Sequence, residues 1–363
     1  MSSFEGYITD VNYKEGTISG KVFSSDDKVL NILLIINEEV VAQKMTLIGE
    51  VFSFYDIDFD NCISLEVCVD DNTKTKLYKK NNTTILLARQ RTGTNVLRRF
   101  LNSHQDIYSI NEVFDPGIYS HKNFETYEQM YMQISKKQSD LIGAFFPYHY
   151  QLVSHLQKPI SYKQAFCSFL DYINLHTQAE HNIIDIKYNH LHNLTNFITP
   201  LLNEKKDIFD IIKKNKIFVI NLIRKNYLKS YISGQLASKS GNYVLSKESQ
   251  KDEHKDIMIT VDVDQLLYSM GIMKQEDEFI AKNLKDYKNY IHIEYGEMFN
   301  ESGEFDIEFS QKISNFFNVS NTFNRAPSLK KLQDRPLKDI IVNYNEVVKK
   351  LTNTPFEYCL FLS

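Results

Sequence analysis

The stretch 84-TILLARQRTGTNVLRRFLNSHQDI-107 constrains the fold more than any other part of the chain. An apolar run breaks at Arg89-Gln90-Arg91-Thr92-Gly93-Thr94-Asn95, and apolar residues then return at helical spacing as Val96, Leu97, Phe100 and Leu101. That is a strand, a tight polar turn and an amphipathic helix. Further apolar runs follow at 183-IIDIK, 217-IFVINLI and 290-YIHIEY, with helical patterns at 226-NYLKSYISGQLA and 337-LKDIIVNYNEVVKKL. Strands alternating with helices predict an α/β domain on a mainly parallel sheet, and we place it over residues 81–363. Residues 1–80 have a different texture. The runs 17-TISGKVFS, 28-KVLNILLIIN, 39-EVVAQKMTL, 49-GEVFSFYDID and 62-CISLEVCVD lie between Asp, Asn and Gly breaks, which predicts a small β-sandwich. The polar stretch 70-DDNTKTKLYKKNNTT reads as the link between the two.

Composition removes several classes of function. No apolar run approaches the roughly 20 residues that span a bilayer, so no transmembrane helix is expected. The start, MSSFEGYITDVNYKEG, lacks a basic region followed by an apolar one, which makes the cytoplasm the expected location. Cys62, Cys68, Cys167 and Cys359 stand at neither disulfide-framework nor metal-ligand spacings and are expected to be reduced thiols without zinc. A net charge of −4 disfavours a chain-wide nucleic-acid surface, although a local basic pocket is compatible with it.

The turn at 89–95 places backbone N–H groups and a helix N-terminus at the carboxyl edge of the predicted sheet. Both favour an anion there. Gly93 permits close backbone approach, Thr92 and Thr94 offer hydroxyls, and Arg91 adds a fixed positive charge. An ordinary threonine-capped turn accounts for the segment equally well when it is taken alone. The loop lacks the G-x-x-x-x-G-K-[ST] arrangement of a nucleotide triphosphatase and the G-x-G-x-x-G dinucleotide fingerprint.

Arg91-Thr92-Gly93-Thr94-Asn95, followed by 96-VLRRFLNSHQDI and 109-SINEVFDP, resembles the 5′-phosphosulfate loop of sulfotransferases that use 3′-phosphoadenosine-5′-phosphosulfate (PAPS). The likeness is nearest to bacterial carbohydrate sulfotransferases of the nodulation-factor type. Gln105 departs from the family's Pro, and Asn111 from the Gly that precedes its Glu. The second family region is a strand ending in a basic residue, with a Ser eight residues on, and 217-IFVINLIRKNYLKSYISGQLASKSGNY resembles it. Ser233 stands at that distance from Lys225; Arg224 is the alternate or additional contact, Ser230 a weaker one, and the usual Pro is missing. The runs 290-YIHIEYGEMF and 330-KKLQDRPLKDIIVNYNEVVKKL resemble the family's later strand and C-terminal helix, where Lys330 and Lys331 are either phosphate contacts or surface lysines.

The resemblance spans roughly residues 84–355. It implies a P-loop-like α/β fold and a sulfuryl transfer from PAPS to a hydroxyl of a carbohydrate or glycoconjugate, with no metal required. Arg91 takes the place of the catalytic cation, and Thr92, Gly93, Thr94 and Asn95 hold the 5′-phosphosulfate. Arg224, Lys225 and Ser233 hold the 3′-phosphate. Glu112 is the candidate base, with His190 and His192 as rivals and Lys187 as a candidate substrate contact. Phe145, Phe146, Tyr148 and Tyr150 are either core residues or a platform for sugar rings. The polar segment 239–256 is a surface loop or a lid. Two alternatives stay open: a catalytically inactive glycan-binding protein on the same fold, and a nucleotide-dependent kinase.

Overall fold

The computed structural model describes residues 5–12, 17–23, 29–36, 39–47, 50–57, 65–69, 76–79, 82–115, 141–145, 166, 169–170, 172–174, 177, 179–190, 208–241, 257–326 and 335–362. The chain divides into two compact units, one of Met1–Asn82 with Leu170–Glu180, the other of Thr83–Phe169 with His181–Ser363.

The first unit carries two antiparallel sheets. One is ordered β1-β2-β5, from strands β1 (Glu5–Asn12), β2 (Thr17–Phe23) and β5 (Val51–Phe54). The other is ordered β4-β3-β6-β7, from β3 (Val29–Ile36), β4 (Glu39–Leu47), β6 (Leu65–Val69) and β7 (Lys76–Lys79). Period-two patterning explains why they share a core: Ile18 and Val22, Leu30, Ile32, Leu34 and Ile36, Phe52 and Phe54, and Val67 and Val69 form one buried cluster.

The second unit is built on a five-stranded sheet ordered β12-β11-β8-β10-β9. Its strands are β8 (Asn82–Ala88), β9 (Ile107–Ile110), β10 (His181–Lys187), β11 (Phe218–Ile223) and β12 (Tyr290–Glu294). β11 pairs parallel with both β8 and β12, and β10 pairs parallel with β9. Every residue of β9 and β10 is buried, as are Ile85 to Ala88 in β8. Burial on both faces is why these strands read as continuous apolar runs rather than alternating ones.

Helices α1 (Thr94–Leu101), α2 (Ile208–Lys214), α3 (Tyr227–Ser240), α4 (Val263–Leu284), α5 (Ile307–Phe317) and α6 (Tyr344–Leu351) belong to this unit. Leu97, Phe100 and Leu101 of α1 join Leu86, Ile183, Ile220 and Phe309 in one core cluster. The helical pattern expected at 337–351 is interrupted. A 3-10 turn at Leu337–Asp339 is separated from α6 by an extended bridge in which the Ile259 N–H donates to the Ile340 carbonyl, and the Val342 N–H to the Ile259 carbonyl, both at 2.8 Å. Those two bonds take up backbone groups that a continuous helix would have used internally.

Phe145 packs in an aromatic cluster with Phe114 and Phe169, fully buried, which makes it a core residue. Cys68 and Cys359 are buried and, among the described residues, form no disulfide. No helix among the described residues is long and apolar enough to cross a membrane. Phe146, Tyr148, Tyr150, His192, Lys330, Lys331, Cys62, Cys167 and segment 242–256 lie outside the described residues.

Candidate active site at the carboxyl edge of the sheet

The candidate residues of the second unit lie on the segments that leave the carboxyl ends of its strands, with Ser230 and Ser233 further along helix α3. The loop 89–93 leaves β8, Asn111 and Glu112 leave β9, Lys187 ends β10, Arg224 and Lys225 leave β11, and Glu294 and Tyr295 lie at the end of β12. In open α/β sheets this edge is where ligands bind.

The loop is fixed by its own chemistry. The Thr92 hydroxyl donates to the Arg89 carbonyl at 2.6 Å, which tightens the turn. Arg91 has φ 67° and Gly93 has φ 95°, so two left-handed residues reverse the chain within three positions. A Cβ at Gly93 would sit 2.3 Å from Cε2 of Tyr295 and 2.5 Å from its Cδ2, so a tyrosine ring occupies the space that a side chain would need. The Val96 and Leu97 N–H groups donate to the Gly93 carbonyl at 3.1 and 3.2 Å. The Thr94 and Asn95 N–H groups precede these first helical bonds and are available to an anion at the α1 N-terminus.

Three predicted residues converge beside this loop. Arg91 donates from Nε and Nη2 to the Ser233 hydroxyl, each at 3.2 Å. Arg224 Nη1 lies 3.5 Å from the Arg91 carbonyl, and its guanidinium sits 5.1 Å from the centre of the Tyr295 ring. Burial pulls the Arg224 guanidinium below its ordinary value, with Tyr295 acting the other way. No carboxylate pairs with Arg224 among the described residues. A partly desolvated cation without a counter-ion is stabilised by an incoming anion.

Lys225 points elsewhere. Its Nζ is 2.6 Å from Glu294 Oε2, and its side chain is 54% exposed. Asn226 caps α3 by accepting from the Lys229 N–H at 2.9 Å and donates to the Cys359 and Leu362 carbonyls, so it serves the fold. Ser230 is buried with no partner for its hydroxyl among the described residues. Asn95 accepts from Arg98 Nη1 at 3.0 Å.

A second cluster holds the acid–base groups. Lys187, 1% exposed, donates to Thr94 Oγ1 at 2.7 Å and to Asp185 Oδ1 and Oδ2 at 2.7 and 2.6 Å, and stands 3.5 Å from Glu112 Oε1. Thr94 therefore joins the helix N-terminus to this cluster. Desolvation raises the Glu112 pKa most; Lys187 pulls it down, and Asp185 and Asp115 push it up, leaving it above the ordinary carboxylate value. Burial lowers the His190 pKa, so that ring is neutral at neutral pH. Glu112 is held in place from its backbone: its carbonyl accepts from the Asp115 and Gly143 N–H groups at 3.1 and 3.0 Å.

The motif 102-NSH turns out to position these groups. Asn102 Nδ2 donates to the Ser109 carbonyl at 2.9 Å and so fastens the end of α1 to β9, which leads to Glu112. His104 Nδ1 accepts from the Asp106 N–H, so its Nε2 carries the proton and donates to the Ser320 carbonyl at 2.9 Å.

Sequence reasoning missed Asp185, Asp115 and Tyr295. Asp185 had a visible signal, a carboxylate two residues before a lysine inside the apolar strand 183-IIDIK, which places both side chains on one face. Tyr295 had none, because its role exists only through its approach to Gly93. The role of Arg89 was also hidden. It spans to α4, with Nε 2.9 Å from Glu276, Nη2 2.9 Å from Asp277, and Nη2 also bonded to the Met273 carbonyl. A cleft of about 380 Å³ opens beside it, lined by Arg89, Tyr188, Tyr268, Met273 and Glu276 among others.

No family model matches the sequence, and no curated protein matches it. Loose similarities to solved structures exist. A sulfotransferase from Alicyclobacillus acidocaldarius aligns at 12% identity and TM-score 0.35, covering 78% of this chain and 97% of that one. The mouse sulfotransferase SULT7A1 in complex with PAP aligns at 11% identity and TM-score 0.33, covering 77% and 88%. A β-glucuronidase from Ruminococcus gnavus aligns at 8% identity and TM-score 0.22, covering 81% and 62%. Likeness at this level assigns neither ancestry nor activity to this chain.

Proposed function

We propose that the protein is a sulfotransferase that moves a sulfuryl group from PAPS to a hydroxyl of a carbohydrate or glycoconjugate. The observation that carries this reading is Arg224, a half-buried, desolvated guanidinium without a carboxylate among the described residues, set beside Arg91, Ser233 and the open N-terminus of α1.

The residues fit a bis-anionic nucleotide. Thr94 and Asn95 offer N–H groups, Gly93 keeps the backbone bare, and Arg91 adds a positive charge where a 5′-phosphosulfate would rest. Arg224 with Ser233 suits the 3′-phosphate; Lys225, paired to Glu294, remains the alternate contact. The donor supplies the activated sulfuryl group. Arg91, with Lys187 nearby, stabilises negative charge as it develops on the leaving phosphate oxygen. Glu112, ionised and within reach of Lys187, accepts the proton of the acceptor hydroxyl. Its raised pKa makes it a stronger base than an exposed carboxylate, and Lys187 steadies its ionised form.

Melting of the purified chain with adenosine 3′,5′-bisphosphate (PAP) tests the reading. A ligand at 100 times its dissociation constant adds about 2.7 kcal/mol. No shift with PAP together with a shift for ATP and magnesium would move the assignment to a nucleotide-dependent kinase. Labelled PAPS with a panel of glycans then identifies the acceptor. Glycan binding that survives Arg91→Ala, in a chain without transfer activity, would mark a binding protein instead.

A further inference from the structure

Glu112, Asp115 and His190 form a cluster that sulfuryl transfer does not require as a unit. One ligand-capable atom of each, a carboxylate oxygen or an imidazole nitrogen, lies within 4.8 Å of the other two. His190 is 1% exposed, and its Nδ1 has no hydrogen-bond partner among the described residues. An imidazole nitrogen buried without a partner is costly unless something binds it. The charge balance points the same way: the carboxylates of Glu112, Asp115 and Asp185 act on this spot against the Lys187 ammonium, which is itself held by both oxygens of Asp185.

We propose that Glu112, Asp115 and His190 bind a divalent transition cation of the zinc class. Neutral imidazole with two carboxylates is a donor set for such ions. Ligand atoms about 2.0–2.2 Å from one ion lie at most about 4.4 Å apart, so small side-chain rotations close the set. Lys187 fills an outer position, bonded to Asp185 and near Glu112, where it weakens the site without occupying it. Binding would take up the Glu112 oxygen pairs. The ion would therefore switch off the proposed base rather than assist it, and zinc would act as an inhibitor. Metal binding itself is independent of the transfer reading, because it is measured with neither donor nor acceptor present.

The experiment uses the full chain stripped with a chelator and titrated with Co²⁺, followed by the visible d–d absorption and by calorimetry, with Zn²⁺ as competitor. One equivalent of Co²⁺ is expected to bind and to be displaced by Zn²⁺. His190→Ala and Asp115→Asn should each weaken binding by at least the roughly 10–100-fold that even outer-shell partners contribute. Circular dichroism checks that the variants fold, and Asp115→Asn is a conservative change at a half-buried residue. Absence of Co²⁺ absorption, or equal affinity in the wild type and both variants, overturns the proposal.

Discussion

Replacing Gly93 by alanine probes the turn on which the whole site depends. Two separate costs follow from the geometry. The backbone at φ 95°, ψ 20° is left-handed, and a residue with a Cβ pays about 1–2 kcal/mol there. The new methyl carbon would also lie 2.3 Å from Cε2 of Tyr295, and that ring is confined by Phe299 at 5.4 Å and Arg224 at 5.1 Å between group centres. Forcing extra volume into such packing costs about 1–3 kcal/mol. The sum is about 2–5 kcal/mol, read as the shift in the urea midpoint multiplied by the common slope. The two parts separate in a double-mutant cycle. In a Tyr295→Ala background the clash disappears while the backbone strain stays, so the alanine should then cost only about 1–2 kcal/mol. An equal cost in both backgrounds, or less than about 0.5 kcal/mol in the wild type, would refute the reasoning.

Glu112→Gln should lower transfer by about 10²–10⁴-fold while leaving the PAP-induced melting shift in place, and the acidic limb of the wild-type pH–rate profile should lie above 4.5 and vanish in the variant. Because the folded pKa is raised, the ionised carboxylate opposes folding; the variant should gain stability at neutral pH and lose that gain as the pH falls through the raised folded pKa toward 4.5, below which the gain is gone, as urea titrations at several pH values measure. Arg224→Ala should weaken PAP about 10–100-fold by calorimetry, whereas Lys225→Ala, which removes an exposed ion pair, should change it less than about 5-fold. A larger loss in Lys225→Ala would hand the 3′-phosphate to Lys225. Arg89→Met leaves Asp277 buried without its guanidinium and should cost about 3–5 kcal/mol at neutral pH. Burial already raises the Asp277 pKa, so the loss should shrink as the pH falls and the carboxyl protonates; a pH-independent loss would contradict this account.

The architecture was legible wherever local pattern and tertiary burial agree. Strands β8, β10 and β11 are continuous apolar runs because parallel strands are buried on both faces, and those of the N-terminal unit alternate because one face of each meets a shared core. Helix α4 was not singled out. Its buried positions, Leu266, Met270, Ile280 and Leu284, include a buried Asp277, while Tyr268 and Phe279 face solvent, so the apolar stripe is blurred by residues that serve Arg89 and the protein surface. The break between Leu337–Asp339 and α6 was hidden for another reason: the pairing with Ile259 that causes it comes from a distant part of the chain.

The site divides along the same line. Local sequence determines a turn between β8 and α1 with Gly93 at its close approach, basic residues at the end of β11, and an Asp–Lys pair within β10, because each rests on spacing along one segment. Which cation faces the loop is a matter of tertiary structure. Arg224 and Lys225 are neighbours in the chain, yet one is half-buried against Tyr295 and the other is paired in solvent with Glu294. Likewise, Arg91 meets Ser233, and Glu112 meets His190, across separations that no periodicity encodes. Side-chain direction and desolvation are set where strand ends from distant parts of the chain converge, and there the packing decides which charges are left to act.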